Sequence, residues 1–220
     1  MTPRTATLSL VMATAAQAII AGLTFGLAGH VDPWRAPVSD YAWHRGGGLL
    51  FTLALLLLLA AAAALAAAAR SAALPRDPLA STLFLLWTAG IAVVLLFRSN
   101  FDAVTLSGEI HRAGGAVLFA SLPLAAWTLS ARLRTEPPWM ATARALRRGA
   151  IAGVVTAAGF GLAQVVGWLP AGLLERAALL AEFAIVATMA IALRRAVRPP
   201  AVSRQSETAA TVAESRRVAR

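Results

Sequence analysis

The chain has 220 residues, 59% hydrophobic and only 14% charged, with a mean hydropathy of +0.70; a soluble domain carries about a quarter of its residues as charge, so this is a membrane protein. Its formal net charge of +10 comes from 20 basic residues, all of them Arg, against 10 acidic ones, and these arginines sit between apolar spans instead of along one aromatic-interleaved stripe, which excludes a nucleic-acid surface. No cysteine is present, which excludes disulfides, thiolate nucleophiles, iron–sulfur clusters and Cys-type zinc sites.

A helix needs about 17 or more predominantly apolar residues to cross roughly 30 Å of hydrocarbon. In chain order, six windows qualify: Thr5 to Ala28, Gly46 to Ala69, Leu79 to Phe97, Ile110 to Ala131, Gly149 to Leu169, and Ala177 to Leu193. The last has an alternative start at Ala171, which draws Glu175 and Arg176 to the membrane boundary. The first follows Arg4 and is longer than the core of a signal peptide, about 7 to 15 residues, so it reads as a retained helix. The expected fold is all-α, a six-helix transmembrane bundle over residues 1–195, followed by a basic, disordered tail over 196–220.

Placing both termini, the second loop and the fourth loop on one side collects 15 arginines and leaves Arg35, Arg45, Arg98, Arg112 and Arg176 on the other. By the positive-inside rule both termini are cytoplasmic and the protein lies in the cell membrane. His30, His44 and His111 then fall on the outer side, together with Asp32, Asp40, Asp102, Glu109 and Glu175. Glu182 joins them about 9 Å below the outer end of the sixth helix, at 1.5 Å per residue.

The segment Thr105 to Gly115 (T-L-S-G-E-I-H-R-A-G-G) packs Glu109, His111 and Arg112 into four residues at the mouth of an apolar run. Polar groups kept there are candidates for function. The second helix opens D-Y-A-W-H-R-G-G-G from Asp40, so H-R-x-G-G recurs, and the sixth opens with Glu175-Arg176. Spacings of 67 residues from Arg45 to Arg112 and 64 from Arg112 to Arg176 are compatible with three parallel helical-hairpin repeats. An Arg at a helix N-terminus opposes the dipole, and either the local acid or an anionic ligand compensates it. The glycines just below allow close helix approach and tie the three openings into one cluster.

Plainer roles stand beside these. Interfacial arginines snorkel to headgroups, His30 reads as a solvated loop residue, and Gln17 and Gln164 read as interhelical hydrogen-bonding groups. Trp34, Trp43, Trp168 and Trp139 fit an aromatic belt. Ser107 and His111 share a helix face, placing a hydroxyl against an imidazole, although Ser there also suits an N-cap. Glu182, with no Arg within one turn, is expected either to be protonated or to find a partner across helices such as Arg98, Gln164 or a bound cation. A transmembrane haem carrier is excluded because no His lies on the inner half, and neither a phosphate-binding loop nor an H-E-x-x-H motif occurs. No cofactor is expected; a divalent metal on His44, His111 and a carboxylate is chemically open.

The chain resembles the uncharacterised bacterial integral membrane proteins grouped as domain of unknown function 998. The resemblance rests on the six-helix layout, Pro37-Val38-Ser39-Asp40-Tyr41-Ala42, Asn100-Phe101-Asp102 and Thr105-Leu106-Ser107-Gly108-Glu109-Ile110-His111. It covers roughly residues 8 to 195 and implies no established activity. The leading functional expectation is an outer pocket between helices two, four and six that binds a small polar molecule or lipid headgroup, transport-like or receptor-like. Its ligand-binding residues are Asp40, His44, Arg45, Asp102, Glu109, His111, Arg112, Glu175, Arg176 and Glu182. The alternatives are a membrane-embedded hydrolase or transferase with His111 as base and Glu109 or Glu182 as acid, metal-assisted or not, and a structural membrane partner.

Overall fold

A computed structural model describes residues 2–72, 74–99 and 104–196. Among these the fold is all-α: six long helices, α1 (Thr2–Gly26), α2 (Gly47–Ser71), α3 (Pro78–Leu96), α4 (Leu106–Leu133), α5 (Met140–Ala163) and α6 (Ala171–Ala196), with short 3-10 helices at Val38–Trp43 and Pro137–Trp139. The expected tail lies, from residue 197, outside the described residues.

Local chemistry sets the helix starts. The Asp77 carboxylate accepts the Ala80 N–H at 2.9 Å with Pro78 in the first turn of α3, and the Thr105 hydroxyl accepts the Gly108 N–H at 3.1 Å to cap α4; both satisfy donors that a helix N-terminus leaves open. At α2, Gly46 turns the chain through a left-handed conformation (φ +79°), which favours glycine. His44 and Arg45 therefore precede α2, whereas Arg112 and Arg176 lie in the second turns of α4 and α6. The sixth helix takes the earlier of its two expected starts, directly after Pro170.

The fifth helix departs most from expectation. It begins nine residues before Gly149 and ends six before Leu169, because arginine is a good helix former that marks a membrane boundary without ending a helix. The run Val165-Val166-Gly167 followed by Pro170 then stops it. Five helices are long and apolar enough to cross a membrane, all but α5, whose apolar part from Gly149 to Ala163 is only about 23 Å long at 1.5 Å per residue.

Packing runs round the bundle in the order α2, α1, α6, α5, α4, α3, with α6 also touching α2 and α4. Small residues set the close crossings. A Cβ at Gly90 would lie 2.9 Å from the Gly114 carbonyl oxygen, so α3 and α4 approach backbone to backbone, and one at Gly153 would lie 2.6 Å from Pro123 Cγ, so the Pro123 ring of α4 packs on the α5 backbone. Between α1 and α2 the Ser9 hydroxyl donates to the Ala61 carbonyl at 2.8 Å. Trp87, Ile91, Leu118, Leu146 and Leu193 fill the core, while Leu49, Leu85, Leu96 and Val155 point outward and are well exposed. Such an apolar perimeter suits lipid and not water.

The helix ends sort into two faces. One, the histidine end, gathers the C-termini of α1, α3 and α5 with the N-termini of α2, α4 and α6; it is tied by Leu173 N–H to Trp34 carbonyl at 3.1 Å and by contacts between the α3–α4 ends. The other, the arginine end, has Arg70, Arg132 and Arg194–Arg195 in the last turns of α2, α4 and α6, where cations complement the dipole. Trp139 is buried at that end, so it packs into the core instead of joining a belt, while Trp34, Trp43 and Trp168 are exposed.

Candidate functional site

Beneath the α1–α2 connection, the first turns of α6 hold a buried polar clamp. Glu175 is 8% exposed and accepts the Val38 N–H at 2.7 Å. Arg176 donates to Thr24 Oγ1 at 3.3 Å, to the Ala36 and Gly172 carbonyls at 3.0 and 2.8 Å, and to the Tyr41 hydroxyl, whose ring also lies 5.3 Å from the guanidinium. Its planar fork meets several fixed acceptors at once, which Lys cannot do. Gly172 is required beneath the loop, since a Cβ would stand 2.4 Å from the Ala36 carbonyl oxygen. Arg176 is therefore a fastener for the loop. Nearby Asp40 has one carboxylate oxygen buried without a hydrogen-bond partner among the described residues, and burial pushes its carboxyl up to about 7 against the opposing pull of Arg176.

A larger feature lies between α4 and α5. A groove of about 660 Å³ opens at the histidine end among Ser39, Ser99, His111, Arg112 and Gln164. It continues between Gly115, Ala116, Phe119, Ala120 and Leu124 of α4 and Val154, Ala157, Ala158, Phe160 and Gly161 of α5. Facing small residues create the space: a Cβ at Gly115 or Gly161 would meet nothing within 4 Å. Arg112 and Leu124 are about 18 Å apart along the helix, close to the roughly 15 Å hydrocarbon depth of one leaflet. Leu124 and Val154, 44% and 43% exposed, flank its lower part, so the groove opens sideways onto the apolar perimeter.

At the mouth, α4 caps α3. The Ser107 hydroxyl donates to the Arg98 carbonyl at 2.9 Å and His111 Nδ1 lies 2.7 Å from the Phe97 carbonyl, satisfying acceptors that a helix C-terminus leaves open. A carbonyl only accepts, so Nδ1 carries a proton, and Nε2 has no partner among the described residues. Ser107 is thus engaged with α3 and not with His111. Arg112 pairs with Glu109 on its own helix, both side chains about half exposed, a pairing weak enough to yield to a ligand.

Glu182 occupies a third place, in the middle of the bundle. It is 3% exposed, its Oε2 accepts the Trp87 indole N–H at 3.2 Å, and its Oε1 is buried without a partner. Beside it is a chamber of about 80 Å³ bordered by Gln17, Val38, Trp87, Leu118 and Phe119. Phe119 borders both this chamber and the groove. The partner of Glu182 is Trp87, not Arg98 or Gln164; the Gln164 amide donates to Phe160 in its own last turn at 3.4 Å. Trp87 escaped sequence reasoning because an indole in an apolar run reads as packing, and only its central place in α3 hinted otherwise.

The three helix openings are put to separate uses. Arg112 borders the groove, Arg176 fastens the loop, and Arg45 is exposed before α2. His44 stacks on His30 with ring centroids 6.1 Å apart, so His44 and His111 keep different company. The glycines of the two H-R-x-G-G segments also differ: Gly47 sits against the Tyr41 carbonyl of the 3-10 turn and Gly114 against Val93 of α3. No three His, Asp or Glu side chains converge as metal ligands among the described residues, and Asp102 lies outside them.

A helical bundle with an apolar perimeter, arginines gathered at its ends and a polar-mouthed lateral groove is a multi-pass membrane protein. Residues 6–192 match the family described as Protein of unknown function (DUF998), and the chain belongs to that family. No curated protein and no solved structure matches it.

Proposed function

We propose that this protein binds a membrane lipid in the α4/α5 groove, headgroup at the histidine end and one acyl chain running down the apolar part. The observation that carries this reading is the grading of the groove. Its polar liners Ser39, Ser99, His111, Arg112 and Gln164 gather at one end, and the rest is apolar and open toward the bilayer. A small polar solute has no use for that lower half. Among the described residues Arg112 is the one Arg, Asp or Glu lining the groove, which favours an anionic headgroup. The protein sits in the cell membrane with the histidine end outward, in keeping with the arginine bias. The α5 helix makes a sixth crossing, since it links the arginine-end terminus of α4 to the histidine-end start of α6 and is about 36 Å long.

The test is the lipid that co-purifies. Gly115→Leu places a side chain in open groove space and is expected to lose it; Arg112→Ala is expected to shift its headgroup composition toward neutral species. Identical lipid extracts from wild type and both variants would refute the proposal.

One observation favours a second reading, a hydrolase or transferase acting on the headgroup. His111 has its ring fixed by Phe97 and, among the described residues, no partner on Nε2 at the groove mouth, as a general base requires. Glu109 or Glu182 is a less fitting acid, because the first is paired with Arg112 and the second belongs to the chamber beyond Phe119. Headgroup turnover by wild type that His111→Gln abolishes would support it, and lipid left unchanged by wild type would remove it.

A further inference from the structure

The chamber beside Glu182 presents a charge problem that the groove does not. The residue is in a membrane-spanning helix, almost fully buried, and its only hydrogen-bond donor among the described residues is the neutral indole of Trp87. Its second oxygen has no hydrogen-bond partner among the described residues. No Arg, His, Asp or other Glu borders the chamber from α1, α2, α3, α4 or the 3-10 turn; the polar groups there are Gln17 and the Trp87 indole. On α6 itself, Glu175 and Arg176 lie two turns away and are engaged with the α1–α2 connection. An ionised carboxylate in such surroundings is tolerated only when something neutralises it. The described residues supply no such charge here, yet Glu182 borders about 80 Å³ of space, more than one water requires.

We propose that the Glu182 chamber is a site for one unit of positive charge, brought either as a proton or as an alkali-metal ion. Trp87 fixes one carboxylate oxygen, the free oxygen receives the cation, and Gln17 offers the amide that a bound ion or an accompanying water would engage. Glu182, Trp87 and Gln17 do not line the groove, so failure of one reading leaves the other standing.

Full-length protein in nanodiscs tests this by thermal unfolding across pH and across lithium, sodium and potassium concentrations, comparing wild type with Glu182→Gln. A ligand held only by the folded state raises the melting temperature as its concentration rises. A gap between the two proteins that narrows or reverses by several degrees on acidification, whatever the salt, identifies a proton. The same change with one alkali ion at fixed pH identifies that ion. Parallel curves under all conditions would overturn the proposal.

Should Glu182→Gln fail to fold, wild type alone decides through dicyclohexylcarbodiimide, which adds to a protonated carboxyl and rearranges to a stable N-acylurea. Modification of Glu182 mapped by mass spectrometry is expected to slow as pH rises or as the bound ion is added. A rate indifferent to both, zero included, would refute the site.

Discussion

Adjacent glycines in α4 give a sharp test of how the bundle divides packed interface from open groove. A Cβ at Gly114 would lie 2.5 Å from Val93 Cγ1 and 2.9 Å from Val93 Cβ, whereas one at Gly115 would meet nothing within 4 Å. Both positions are helical, so replacing either glycine by alanine gains about 1 kcal/mol of helix propensity. At Gly115 nothing opposes that gain. At Gly114 overpacking costs about 1–3 kcal/mol, leaving a net loss of up to about 2 kcal/mol. With a conversion of about 2–4 °C per kcal/mol for a chain of this size, Gly115→Ala should melt a few degrees above wild type and Gly114→Ala at or several degrees below it. Thermal unfolding in one detergent, after delipidation, measures both. A Gly115→Ala protein less stable than Gly114→Ala would refute the geometry of the α3/α4 crossing and of the groove together.

Removing the loop fastener with Arg176→Ala strips donors from Ala36, Gly172 and the Tyr41 hydroxyl and should cost at least about 2 kcal/mol; Arg176→Lys should recover little of it, as read by melting temperature. Asp40 makes a pH-dependent contribution of stated sign. Its folded carboxyl is raised from 3.8 to about 7, so the fold binds its proton more tightly than the unfolded chain does, and the resulting stability is full below 3.8 and lost as pH climbs to about 7. Asp40→Asn should flatten that segment of the stability profile, and an unchanged profile would show that Asp40 is not confined as described. Trp87→Phe removes the only described donor to Glu182 and should destabilise by about 1–3 kcal/mol. The loss should shrink when Glu182→Leu is already present, measured as a double-mutant cycle.

Much of this fold is legible from hydropathy, because a membrane helix must satisfy its backbone internally and so writes its length as an apolar run. The fifth helix blurred because Arg144, Arg147 and Arg148 mark an interface while favouring helix, so the boundaries of span and helix part company there. Glu175 and Glu182 stand out as carboxylates in apolar surroundings, and the structure buries both. The groove does not stand out. Its walls are alanines and glycines in a chain rich in both, and whether facing small residues close against each other, as at Gly90 and Gly114, or leave space, as at Gly115 and Gly161, depends on helix crossing alone. The recurrence of H-R-x-G-G was readable, but its letters could not say that one Arg would border a groove and another remain exposed.

Phe119 borders both the groove and the chamber beside Glu182, and it meets Phe160 edge-on at 5.4 Å. An acyl chain that pressed this ring to a new rotamer would alter the room left for a cation, and a cation that fixed it would alter the fit of the chain. Thermodynamic reciprocity then requires each guest to change the affinity of the other by one common factor. Two compartments with no shared ligand thereby have one wall residue, Phe119, in common among the described residues.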